Sequence, residues 1–213
     1  PEHLPWLKCK RLDQYDALIT YCDPSFKGAK TNDFKAIVLI GKTGHYYHVI
    51  WAWVRQASVG AMVSAHYDVD EVVHKNAHRI ELEAAAFREV VCPHYMEANF
   101  MQDLMLEDYE LEGDSKGYQM RIRPDKRKKP DKVARIEDLS PVAEKGYLGF
   151  NSKYRKSPDM IQLRDQFLAF PNGHDDGPDA CEGGIHLLNK RHGSNRGKRR
   201  ASGNYKKSNS RAA

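Results

Sequence analysis

The chain has 213 residues, 40% of them hydrophobic and 30% charged, with a net charge of +5. This composition fits a soluble globular protein of one domain plus an appendage, and its longest apolar runs are far too short to span a bilayer. The four cysteines, Cys9, Cys22, Cys92 and Cys181, are scattered with no C-x-x-C pair, so neither a disulfide framework nor a zinc site is indicated and a reducing cytoplasm is the expectation.

Pro1-Glu2-His3 opens the chain with no secretory pattern, and an opening proline points to a processed or partial chain. Residues 1–15 show no sustained period and read as a linker. Ala17 to Cys22 predicts a strand that stops at Asp23-Pro24. After a loop from Ser25 to Asp33, Phe34 to Ile40 predicts a central strand, since it is almost continuously apolar. Gly41-Lys42-Thr43-Gly44 reads as a hairpin turn, and Tyr46 to Val54 as a third strand. Helical patterns follow over Val59 to His74 and Arg79 to Glu89, then a strand from Val90 ending near Glu97. Phe100 to Leu111 is helical, with Gly113 and Gly117 as breakers, and Tyr118 to Ile122 is a short strand. A basic loop leads to a helix over Lys132 to Leu139, a strand over Gly146 to Phe150, and helices over Asp159 to Phe170 and Pro178 to Leu188. Residues 191–213 form a basic tail too poor in apolar side chains to order itself. Strands first in hairpins and then alternating with helices predict an α/β fold, a mixed sheet covered on both faces.

The charge is uneven. From Lys190 onward there are nine Lys/Arg and no acid, so of 34 basic and 29 acidic residues the body holds 25 against 29. Within that acidic body, His174-Asp175-Asp176-Gly177-Pro178-Asp179 packs three carboxylates into five positions at a helix start. One Asp there is an ordinary cap, but three repel one another unless a cation offsets them. Asp23 stands at the end of the first strand and Glu97 at a strand-to-helix junction, positions from which side chains reach into a site. An Asp, a Glu and an Asp cluster brought together from distant sequence is what two-metal phosphodiester hydrolysis needs, with Mg²⁺ or Mn²⁺ ions typically ~3.5–4 Å apart.

The chain resembles the C-terminal nuclease domain of the large terminase subunit of tailed bacteriophages, a ribonuclease H-like fold. The likeness rests on Tyr21-Cys22-Asp23-Pro24-Ser25 leading to Asp33; Met96-Glu97-Ala98-Asn99-Phe100-Met101-Gln102; Asp131 to Ile136; Gly146 to Asn151; and Phe170-Pro171 leading to His174-Asp175-Asp176 with Asp179-Ala180. It spans roughly residues 16–190. It implies that Asp23, Glu97 and Asp176 are the catalytic metal ligands, with Asp175 and Asp179 as further ligands and His174 in support. It also implies double-stranded viral DNA as substrate during genome packaging in the bacterial cytoplasm. An ATPase domain, portal and small terminase components would lie outside this chain. A junction resolvase or integrase-like nuclease, or a non-catalytic DNA-binding module, are the alternatives.

Arg121, Arg123, Lys126, Arg127, Lys128, Lys129, Lys132 and Arg135 face only Asp125 and Asp131 in the local sequence, and read as a phosphate-tracking patch. Three other patterns carry less. Gly41-Lys42-Thr43 imitates a P-loop ending, but the residues before it belong to an apolar strand, so no ATPase activity is expected. His74 and His78 have zinc-like spacing without a third ligand. At strand period, Tyr47, Trp51 and Trp53 share one face, which reads as sheet packing.

Overall fold

The computed structural model describes residues 4–24, 34–98 and 103–200. Seven strands, β1 (Trp6–Leu7), β2 (Ala17–Asp23), β3 (Lys35–Thr43), β4 (Tyr46–Arg55), β5 (His94–Glu97), β6 (Ile122–Asp125) and β7 (Leu148–Asn151), form one sheet. Their spatial order is β1-β7-β4-β3-β2-β5-β6. Antiparallel pairing of β2, β3 and β4 builds the centre, and parallel strands flank it on both sides. β3 is central because Ala36 to Ile40 are apolar on both faces and fully buried.

One face packs against α5 (Pro158–Ala169) and α6 (Asp176–Arg200), through Met160, Leu163, Ala180, Cys181, Ile185 and Leu188. The other packs against α1 (Val59–Glu83) and α2 (Asp103–Lys116), through Met62, Val63, Tyr67, Val73 and Tyr109. Helices therefore cover both faces of a mixed sheet, as the alternation of patterns predicts. α3 (Lys132–Glu137) and α4 (Ser140–Glu144) lie between β6 and β7 in sequence.

Several elements depart from the sequence reading. Residues 4–15 pack into the fold where a linker is expected: Leu4, Leu12 and Tyr15 are buried, and β1 adds a parallel strand to β7. The hairpin turn is Gly44-His45, with Gly44 at φ 58°, whereas Gly41 lies inside β3. A Cβ at Gly41 would come 2.5 Å from the Tyr15 ring, so the glycine there serves close packing. α1 runs on to Glu83, and Ala84-Ala85-Ala86 falls outside it. Gly113 stays helical, and Gly117, at φ 79°, ends α2. The backbone of α6 continues to Arg200, past the expected end at Leu188. The loop 25–33, the stretch 99–102 and residues 201–213 lie outside the described residues.

The aromatic row of β4 is split. Register shifts between Leu39 and Ile40, which pair with Trp51 and Val49, leaving Ile50 as an extra residue. One inserted residue reverses the pleat. Tyr47 therefore packs on the α6 face, while Trp51 and Trp53 pack on the α1 face.

A buried polar chain joins α1 and α2 to the strands that carry the site. Asp70 Oδ1 lies 2.8 Å from His94 Nε2, and His94 Nδ1 lies 2.7 Å from Thr20 Oγ1. Thr20 Oγ1 meets His66 Nε2 at 3.1 Å, and His66 Nδ1 meets Tyr109 Oη at 2.9 Å. The set resembles a nucleophile triad, but Thr20 and His66 are fully buried, so it fixes β2 against β5. Burial holds the His66 pKa well below its ordinary value, and His94 adds to the effect. His74 and His78 are exposed, and His74 lies 3.2 Å from Asp70.

Gly183 on α6 sits against β2, where a Cβ would come 2.4 Å from the Tyr21 ring. Gly183→Ala is expected to destabilise the protein by about 1–3 kcal/mol, the usual cost of overpacking. Thermal denaturation measures it, and an unchanged melting temperature would show that the ring can move aside.

Candidate active site

Parallel pairing sets three carboxylates side by side. Cys22 is in register with Met96, so Asp23 and Glu97 each lie one residue beyond a matched pair at the ends of β2 and β5. Glu97 is in register with Asp125 at the end of β6. The three acids therefore end adjacent parallel strands, the edge at which open α/β sheets place their chemistry. Tyr21 Oη donates to Asp125 Oδ2 at 3.0 Å.

α6 faces this edge. Asp176, Asp179 and Glu182 recur every three residues along it and are all buried, and Asp175 directly precedes the helix. The structure thus brings Asp23, Glu97, Asp175, Asp176 and Asp179 to one end of the sheet, and shows Asp125 and Glu182 as further members. Their signals were present: Asp125 closes the strand next to Glu97, and Glu182 continues the three-residue spacing. His174 is exposed, with its ring 4.6 Å from that of Phe34.

The cations of the basic segment divide into two groups. Arg121, Arg123, Lys126 and Lys128 are exposed. Arg127, Lys129, Lys132 and Arg135 turn inward onto the acids, which corrects the reading of all eight as one solvent-facing patch. Lys129 Nζ lies 3.1 Å from Glu97 Oε2. Lys132 Nζ lies 2.6 Å from Asp175 and 3.6 Å from both Asp176 and Asp179. Arg135 Nη1 lies 2.6 Å from Asp179 Oδ1 and 2.6 Å from Glu182 Oε2. Arg127 Nη1 donates to Glu182 Oε1 at 2.8 Å, its Nη2 pairs closely with Oε2, and its backbone N–H donates to Asp125 at 3.2 Å. Sequence patterning shows a run of charge; it does not show that long-range partners draw alternate members inward.

These neighbours set the charge states. Burial pushes the Asp23 pKa up to about 7, and the negative charge of Asp179 adds to it, against the pull of Lys132 and Lys129. Burial also works against ionised Asp179, but the Arg135 hydrogen bond together with the charges of Lys129, Lys132 and Arg135 outweighs it and holds that carboxyl below its usual range. For Lys132, the Asp175 hydrogen bond and the surrounding acids overcome burial and raise its pKa.

Among the described residues, no three His, Cys, Asp or Glu side chains form a ready metal cage. The donor set nonetheless fits a hard divalent cation. Seven carboxylates (Asp23, Glu97, Asp125, Asp175, Asp176, Asp179 and Glu182) face four cations, Arg127, Lys129, Lys132 and Arg135. Fully ionised, the cluster has more negative than positive charge, and all its acidic donors are oxygens. Asp179 and Glu182 are taken up by arginines.

The sequence over residues 20–188 matches the family described as Terminase RNaseH-like domain. No curated protein matches the chain. Among solved structures, the human cytomegalovirus terminase nuclease domain is similar at 16% identity, covering 84% of this chain and 86% of that one, with a TM-score of 0.56. The nuclease domain of the P22 large terminase is similar at 14% identity, covering 88% of each chain, TM-score 0.56. The large terminase nuclease of thermophilic phage G20c aligns at 12% identity over 87% of this chain and 94% of its own, TM-score 0.50. At these identities the structural likeness speaks for the fold, and the family match covers most of the sequence. The chain belongs to the terminase ribonuclease H-like domain family.

Proposed function

We propose that this protein is the endonuclease of a viral DNA-packaging terminase, cutting the backbone of double-stranded DNA with divalent metal and little sequence preference. The observation that carries the reading is the row Asp23, Glu97 and Asp125 at adjacent parallel strand ends, facing the acidic stripe of α6. The cytomegalovirus terminase nuclease domain, similar at 15% identity, has been studied soaked with manganese, in keeping with Mg²⁺ or Mn²⁺ here.

Asp23, Glu97 and Asp176 would hold two metal ions, with Asp175 completing the set. Bound, the ions would supply the activation of water and the neutralisation of charge growing on the phosphate. Arg135 fixes Asp179 through two of its nitrogens and so orients the first turn of α6. Lys129 and Lys132 hold Glu97 and Asp175 in place and lower the repulsion among the acids. The buried setting of Asp23 strengthens each of these interactions by excluding water.

DNA would approach along β6. Arg121, Arg123, Lys126 and Lys128 are exposed there, and a cavity of about 580 Å³ beside Asp125 is lined by Lys126, His186 and Lys190. Contacts of this kind grip phosphate and do not read bases. The substrate would be concatemeric viral DNA in the host cytoplasm, with the ATPase domain, portal and small terminase supplied from outside this chain.

Supercoiled plasmid incubated with Mg²⁺, Mn²⁺ or EDTA tests the reading. Cleavage with either metal, none with EDTA, and a loss of at least about 10²-fold in Glu97→Gln are expected, the scale of removing one electrostatic group from such a site. Metal-independent cutting, or cutting by Glu97→Gln at the wild-type rate, would overturn it. For the grip on DNA, Lys126→Ala with Lys128→Ala is expected to weaken binding and reduce the log–log salt slope by about 2, since each phosphate a lysine neutralises adds close to one to that slope. Fluorescence anisotropy at several salt concentrations reads this, and an unchanged slope would take both lysines off the DNA path.

A further inference from the structure

We propose that a cavity on the α1 face of the sheet binds a nucleoside phosphate and holds it without hydrolysing it. The cavity has a volume of about 490 Å³, within the range of small-molecule sites. It shares no lining residue with the acidic centre, which faces α3 and α6.

Its floor and its rim differ in kind. Leu39, Ile50, Trp51 and Ile80 form an apolar floor, and Trp51 is only partly covered. The rim carries five exposed cations, Lys8, Lys10, Arg11, Arg79 and Lys153, and among the described residues no Asp or Glu lines the cavity. Arg11 is spoken for, since it chelates Asp13 with two contacts of 2.8 Å. The other four have no carboxylate partner among the described residues. Lys10 donates to Thr43 Oγ1 at 2.9 Å, Arg79 to Asn76 Oδ1 at 3.1 Å, and Lys153 lies 5.5 Å from the centre of the Tyr154 ring.

Four such cations around one mouth repel one another, on a body whose acidic residues outnumber its basic ones up to residue 189. A multiply charged anion relieves that repulsion, and Arg with Lys suits phosphate oxygens best. The floor adds a second requirement. An indole beside two isoleucines and a leucine favours a flat, largely apolar ring. Ring and phosphates together describe a nucleotide. With no carboxylate among the described lining residues, none of them holds a cation or accepts a proton from water, so binding would not lead to hydrolysis. The β4 bulge makes the site, because the extra residue puts both Ile50 and Trp51 on this face.

The nucleotide could be free or could be the end residue of a DNA strand, and titration calorimetry in EDTA tells these apart. The probes are ATP, adenosine, inorganic triphosphate and a short single-stranded oligonucleotide. One-to-one binding of ATP or of the oligonucleotide is expected, tighter than triphosphate or adenosine alone. ATP alone identifies a free nucleotide, and an oligonucleotide displaced by ATP identifies a strand end. Arg79→Glu with Lys153→Glu, both exposed, is expected to weaken binding at least tenfold while leaving the melting temperature and plasmid cleavage unchanged. Trp51→Leu is expected to bring the ATP affinity down to that of triphosphate. No saturable binding, binding indifferent to the charge reversal, or triphosphate bound as tightly as ATP would overturn the proposal.

Discussion

Asp23→Asn is expected to abolish cleavage and, at the same time, to raise the melting temperature of the metal-free protein. Asp23 is buried at the end of β2, and burial followed by the charge of Asp179 lifts its pKa to about 7. An unfolded Asp titrates near ~3.9, so the folded state holds this proton more tightly. The sign follows from linkage. Stability is fully present at low pH, where both states carry the proton, and it falls as pH rises from the unfolded value through the folded one. Asn has no proton to lose. The gain should therefore be small near pH 4, about 1–2 kcal/mol at pH 5, and reach on the order of 4 kcal/mol at pH 8, since each pKa unit is worth about 1.4 kcal/mol. Thermal melts in EDTA across that range, beside plasmid assays with Mn²⁺, measure both halves. A variant that melts lower than wild type at pH 8 would mean that Asp23 stabilises the fold, contrary to the repulsion described above.

Arg135→Ala should be the most damaging single change outside the apolar core. Its guanidinium is buried, bridges Asp179 and Glu182, and also donates from Nε to the Pro130 carbonyl at 3.2 Å. Removing it leaves two buried carboxylates that Arg127, Lys129 and Lys132 offset only in part. Breaking a buried ion pair from one side costs about 3–5 kcal/mol. At roughly 2–4 °C per kcal/mol for a domain of this size, the melting temperature should fall by about 6–20 °C. Arg135→Lys should recover only part, because one ammonium cannot reproduce the fork. Adding Glu182→Gln to Arg135→Ala should return some of the stability, and a double-mutant cycle isolates that coupling. A loss under 1 kcal/mol would place the arginine in solvent.

The contrast between the two residues explains what could be read in advance. β2, β3 and the acids at strand ends were legible because their signals are local: an apolar run, a Pro after Asp23, a carboxylate at a strand-to-helix junction. The helices on both faces followed from the alternation of patterns. The roles of Arg127, Lys129, Lys132 and Arg135 were not legible, since a lysine facing solvent and one facing Asp175 look the same in sequence. Leu4, Leu12 and Tyr15 escaped notice for a related reason. They are too widely spaced to make a period, and their packing partners are distant in sequence: Leu4 joins the core on the α6 face, Leu12 and Tyr15 that on the α1 face. The β4 bulge leaves no compositional trace, so parity counting across Ile50 put Tyr47 and Trp51 on one face.

α6 serves two masters along one rod. Ala180, Ile185 and Leu188 grip the sheet, while Asp176, Asp179 and Glu182 present charge to the strand ends. Advancing the helix by a single residue would spin it through about 100° and strip both registers together. The chemistry therefore inherits its alignment from oil-like contacts many ångströms away. Substitutions such as Leu188→Ala, remote from any phosphate, would be felt as a loss of aim before they were felt as a loss of fold.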